Sequence, residues 1–199
     1  SWSSTTGAVV NGDISIWTTQ LSASILSNGA GKLITPFYIL NGFVVPAYIL
    51  ASYQTYTDKL VRGRLLFFVL FALIASVFLN TLLPIEIFML VSSPLLFIYY
   101  LFLVGLLFAV LPSFSIVIGY SFNGSIFNAN PGSLFDILIL LRNPIYQKNI
   151  LILLFVGLFV GLITYAITSY YYRRGAIGLV VPDEKDRVIN ELLDAIVGL

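Results

Sequence analysis

One carboxylate stands alone in the longest apolar stretch of this chain. Between Leu65 and Phe135 the single charged residue is Glu86. A charge at the centre of a membrane helix costs on the order of 2.5–3.5 kcal/mol on insertion scales, so such a residue is a functional candidate by default. The segment that carries it, Asn80-Thr81-Leu82-Leu83-Pro84-Ile85-Glu86, is the best place for a break in the backbone at membrane depth. A broken backbone is tolerated there only where protein or a water-filled cavity covers it. Glu86 and Thr81 are therefore candidates for contact with a polar substrate. The competing reading of Glu86 is a carboxylate at the membrane interface, or one that accepts backbone N–H groups after Pro84. The chain has no Cys and no His. A zinc site, a Cys/His pair or a Ser-His-Asp triad cannot be built from it alone. No catalytic residue, metal ligand or cofactor is expected.

The elements that hold these residues must be membrane helices. Hydrophobic residues make up 59% of the 199, and charged residues only 10%, with a mean hydropathy of +0.98. A soluble domain carries roughly 25% charged residues. The net charge of +1 gives no argument for nucleic acid. The chain divides into a polar N-terminal connection (1–32), a transmembrane domain (33–172) and a charged tail (173–199). The first residues lack the basic start and short apolar run of a signal peptide.

Hydropathy places spans at Leu33–Tyr53, at Leu65–Leu83, along Pro84–Pro112 with Ser113–Phe122 following, and at Ile150–Tyr172. The fold class expected is an all-α polytopic membrane protein with about five spans. Either separate passes or a re-entrant hairpin near 80–99 satisfies the count. Gly157 and Gly161 have the G-x-x-x-G spacing that permits close helix contact. Tyr170 to Tyr172 followed by Arg173 and Arg174 read as an interface anchor. Lys59, Arg62 and Arg64 mark one cytoplasmic loop and the two arginines another, so an even number of crossings lies between them.

Several stretches, in order, resemble one family. The run Leu79 to Phe122 resembles the sugar permeases of the bacterial phosphotransferase system, in the membrane-embedded C component of the glucose/N-acetylglucosamine/maltose class. The family's G-I-T-E-P-x-E-F element corresponds to Asn80–Phe88, with Ile87 before Phe88. Its "APLLY" corresponds to Ser93-Pro94-Leu95-Leu96-Phe97, and its G-x-S-F-S to Gly119-Tyr120-Ser121-Phe122. Upstream, "NGDISIW" (Asn11 to Trp17) resembles a G-D-hydrophobic stretch, and Phe43 to Arg64 resembles the "GLPAAALAM" helix and its basic loop. Downstream, "GSLFDILIL" (Gly132 to Leu140) resembles G-L-I-D-F, and the tail resembles the linker to a B domain.

The resemblance covers the C-terminal half of such a permease. It implies a bacterial plasma membrane location, with many passes and a cytoplasmic C-terminus. It implies a hexose-type sugar as substrate. The partners implied are the lipid bilayer, an N-terminal permease half or other membrane subunits, the B domain, and further copies in an oligomer. It makes the polar connection pack near the substrate region, with Asp13 a candidate pocket group and Gln20 read first as a surface residue. Gln54 is read as an interface residue. The departures are specific. The acid that faces the sugar in the family is Leu83 here, Asn80 replaces a Gly, and the family's substrate-site His has no counterpart. The turn-rich Asn123 to Pro131 reads as an insertion. A degenerate, non-transporting membrane subunit is the alternative that these departures raise.

Overall fold

The computed structural model describes residues 2–3, 9–22, 30–55, 59–121 and 132–174. The charged tail after Arg174, the insertion at 123–131 and part of the polar connection lie outside the described residues. A two-residue antiparallel pair, β1 (Trp2–Ser3) with β2 (Val9–Val10), precedes the helices. They are α1 (Asp13–Ser22), α2 (Thr35–Ile39), a π-helical turn (Leu40–Val44), α3 (Val45–Thr55), α4 (Lys59–Leu79), α5 (Leu83–Ser92), α6 (Pro94–Ser113), α7 (Leu134–Leu140) and α8 (Pro144–Arg173).

Proline punctuates this apolar chain. It stands in the first turn of α2, α5, α6 and α8. There its missing N–H is not needed and its fixed φ suits the helix. Pro46 acts differently, because it falls inside the continuous helix Thr35–Thr55. In α-geometry its ring would meet the carbonyl four residues back. The wider π turn lies just before it, closed by a bond from Val45 N–H to Leu40 O.

Among the described residues, three helices are long and apolar enough to cross a membrane: Thr35–Thr55, Pro94–Ser113 and Pro144–Arg173. Apart from the short β pair, the described residues thus form a helical membrane-type protein, and they hold fewer full-length spans than the five the hydropathy reading expects. Shorter apolar helices occupy Leu65–Leu79 and Leu83–Ser92. At about 1.5 Å per residue, the ten residues of α5 cover about half of a hydrocarbon core roughly 30 Å thick. The apolar run expected along Pro84–Pro112 is therefore broken at Ser93, where a new helix begins with Pro94. From Phe114 to Ser121 the chain is not helical. The last span starts at Pro144, six residues before the hydropathy boundary, because Asn143 caps it by accepting Ile145 N–H at 3.1 Å.

Contacts fix how these helices run. Thr35 and Asn149 both bond the segment at 117–118. Phe43 packs on Gly157 and Gly161, and the Tyr48 and Tyr172 hydroxyls meet at 3.0 Å. Partners advance together along both helices, so Thr55 and Arg173 leave the bundle on the same side. A Cβ on Gly157 would lie 2.4 Å from the Phe43 ring. The two glycines are thus the groove that receives the π turn. At the end of α8, the Arg174 guanidinium lies 4.8 Å from the Tyr170 ring centre, as an interface anchor would.

Helix α4 returns antiparallel and places Ser76 beside Asn41. α5 starts where Asn80 meets Asn41 and ends where Ser92 and Ser93 meet Tyr48. It therefore stays inside the depth of the Thr35–Thr55 helix. The outer faces carry exposed Phe67, Phe71, Phe102, Phe155 and Phe159, the side chains expected against acyl chains.

Candidate functional site

After α6 the chain turns at Ser115, whose φ is +56°, and runs without helix into the interior. Val117 to Ser121 are all buried. Backbone N–H and C=O groups in such a place need partners. Side chains from α1, α2, α7 and α8 supply them. Asn149 donates its side-chain N–H to Val117 O at 3.3 Å. Thr35 Oγ1 donates to Ile118 O at 2.7 Å and accepts Ile118 N–H at 2.8 Å. The Tyr38 hydroxyl, 2.6 Å from Gly119 O, shares its one hydrogen between that carbonyl and Asp136, and the Trp17 indole N–H donates to Tyr120 O at 2.6 Å. Ser121 N–H donates to Asp136 Oδ1 at 2.7 Å.

Asp136 is completely buried, a placement a carboxylate tolerates only with strong hydrogen-bond partners. Besides Ser121 N–H it accepts the Ser121 hydroxyl, the Tyr38 hydroxyl at 2.5 Å and Gly132 N–H at 3.3 Å. Ser133 caps α7 and holds Asp136 in its first turn. Two glycines let the segment reach Trp17. A Cβ on Gly119 would stand 2.2 Å from the indole, and one on Gly31 would stand 2.6 Å from Gly119 N. Gly31 also has φ +89°, which favours glycine.

A second polar cluster adjoins this one. Asn80 ends α4 with φ +51°, and Thr81 N–H reaches back to Ala75 O at 2.9 Å. The Asn41 carboxamide donates to Asn80 Oδ1 and accepts the Ser76 hydroxyl at 2.9 Å. A Cβ on Gly132 would lie 3.0 Å from Asn80 Nδ2, so the loop that bonds Asp136 rests directly on Asn80.

The residues singled out from sequence lie apart. Glu86 is half-buried in the first turn of α5 and accepts the Tyr100 hydroxyl of α6 at 2.8 Å. Thr81 is half-buried, its hydroxyl 3.3 Å from Leu79 O. Asp13 opens α1 and clamps the turn before α2 by accepting Gly31 N–H at 2.8 Å and Leu33 N–H at 3.3 Å. These three make no hydrogen bonds to one another. Gln54 is exposed and accepts the Tyr165 hydroxyl at 2.6 Å. Leu83 is 62% exposed.

The surface reading of Gln20 is overturned. It is 1% exposed, and both ends of its carboxamide lack a partner. Trp17, three residues earlier on the same face of α1, draws it inward. Sequence reasoning missed Asp136 as a site residue. Its signal was that no other charge lies between Glu86 and Arg142.

Comparison with known protein families, with curated proteins and with solved structures finds no match. The two clusters offer amides, hydroxyls, an indole N–H and a carboxylate already occupied by donors. Such groups hold backbone in place and suit a neutral, hydrogen-bonding molecule.

Proposed function

We propose that this chain is the C-terminal half of a phosphotransferase-type sugar permease, working in the translocation of a hexose-type sugar across a bacterial plasma membrane. The observation that carries the reading is the buried, non-helical segment at 117–121, held by Thr35 and Asn149 near the N-terminal ends of two apolar helices. Non-helical backbone in a membrane protein belongs where it is covered by protein or lines a cavity, and transporter substrate sites are built beside interrupted helices. Its Gly119-Tyr120-Ser121 is also the part of the chain that resembles the family's G-x-S-F-S element. The polar groups around it match a neutral polyhydroxy substrate better than an ion. In this reading the chain is multi-pass, with the loop before Arg64 and the tail after Arg173 both cytoplasmic, and it works as part of an oligomer. An N-terminal half supplies the missing histidine. A B domain supplies the phosphoryl group, because this chain has no Cys or His to carry one.

Leu83 favours a second reading. The position that resembles the family's sugar-facing acid has no hydrogen-bonding group here and is 62% exposed. A membrane subunit that keeps the architecture and no longer moves sugar would tolerate that.

Sugar binding separates the two. The chain, co-purified with an N-terminal half in nanodiscs, should bind a labelled hexose in equilibrium dialysis. Glu86→Gln should weaken that binding at least tenfold, since a hydrogen bond to a charged group contributes about 1.5–3 kcal/mol and 1.4 kcal/mol is about tenfold. Unchanged affinity would reduce Glu86 to a latch on Tyr100. Absence of any hexose binding by the intact pair would leave the non-transporting reading.

A further inference from the structure

Two buried side chains beside Trp17 have nothing to bond to. Gln20 is 1% exposed with neither amide nitrogen nor oxygen partnered. Tyr146 is 0% exposed, and its hydroxyl is also without a partner. Buried polar groups in native folds are nearly always satisfied, so each exception calls for an occupant or a function. The two belong to one patch. Gln20 shares a face of α1 with Trp17, and the Trp17 and Tyr146 rings lie 5.4 Å apart. Trp17 itself is held by Tyr120 O and by contact with Gly119, so the unpartnered polar groups of the patch are those of Gln20 and Tyr146.

We infer that Gln20 and Tyr146 form the polar ends of a binding site for the hydroxyl groups of a neutral sugar, a site that rests on the permease reading above. The carboxamide offers two donors and an acceptor, and the phenol offers one donor and an acceptor. That mixed set suits alcohol groups, which both donate and accept. Among the described residues, no charge is available to select an ion. Asp13 and Asp136 already accept backbone N–H groups. Lys32, Arg142 and Lys148 are exposed. The patch is closed in this state, so a ligand enters when α1 lifts. The links to be released include the Asp13 clamp, the Trp17–Tyr120 bond and the contact between the Thr18 and Tyr120 hydroxyls at 2.7 Å.

Trp17 reports on the site directly. The chain has two tryptophans, so Trp2→Phe leaves Trp17 as the sole indole. The full chain in nanodiscs is titrated with glucose, with N-acetylglucosamine and with glucose 6-phosphate, following indole emission. At least one neutral sugar should give a saturable change, and the phosphate ester none. Gln20→Leu should raise the dissociation constant at least tenfold. Tyr146→Phe, which removes one oxygen and keeps the ring, should raise it about fivefold and guards against misfolding of the first variant. Equilibrium dialysis on the same samples separates the two claims. Sugar bound with unchanged affinity by both variants overturns this site and leaves the permease reading standing. No binding of any neutral sugar, by this chain or by the pair with its N-terminal half, overturns both.

Discussion

Asp136→Ala should lower the stability of the membrane core by about 3–5 kcal/mol. Its carboxylate accepts Ser121 N–H, the Ser121 hydroxyl, the Tyr38 hydroxyl and Gly132 N–H in a fully buried place. Tyr38 keeps a second acceptor in Gly119 O after the change. Ser121 N–H and Gly132 N–H lose the acceptor they share, and each buried group left unsatisfied costs roughly 1–3 kcal/mol. Whole domains are stable by only about 5–15 kcal/mol, so the loss decides whether the chain survives extraction. Asp136→Asn should do less harm, because its remaining oxygen can still serve Ser121. Thermal unfolding in detergent, followed by size-exclusion chromatography, checks this order. A melting temperature for Asp136→Ala within a degree or two of wild type would show that Asp136 does not hold the non-helical segment.

Gly119→Ala is the second large effect, and it acts by volume. The new methyl group would stand 2.2–2.5 Å from three indole atoms of Trp17. Overpacking of this kind costs typically about 1–3 kcal/mol, and moving the indole also strains its bond to Tyr120 O, worth about 1 kcal/mol. The expected loss is therefore about 2–4 kcal/mol, with Trp17 emission shifted as its surroundings change. Gly105→Ala is the control, since a Cβ there meets nothing within 4 Å. Equal melting temperatures for the two variants would contradict the close approach of Trp17 to Gly119.

The membrane class was legible in bulk composition, because too few charges exist to cover a soluble surface. The helix Thr35–Thr55 and the last span were legible as long apolar runs. The cost of a bare carboxylate in hydrocarbon singles out Glu86 in the sequence, but its partner, the Tyr100 hydroxyl, is not legible there. The rest was hidden for physical reasons. Hydropathy counts residues and not backbone, so Ser113–Phe122 reads as part of a span although 116–121 is not helical. Apolar residues resume directly after Ser92-Ser93, so only this short Ser-Ser-Pro step marks the end of α5. The π turn depends on where the ring of Pro46 falls relative to a carbonyl. Asp136 and Gln20 sit near turns and polar stretches, where sequence reads solvent. Trp17, Gly119 and Gly31 bring those stretches inside through contacts distant along the chain.

Uptake of radiolabelled hexose into proteoliposomes tests the central claim most directly. The vesicles hold this chain, a membrane chain bearing the family's histidine motif, and a B domain, with phosphoenolpyruvate and the general phosphotransferase proteins supplied. Labelled sugar phosphate should accumulate inside only when all components are present, and this chain by itself should transport nothing, since it carries neither Cys nor His. Absence of uptake by the complete set, or robust uptake and phosphorylation by this chain alone, would contradict the account.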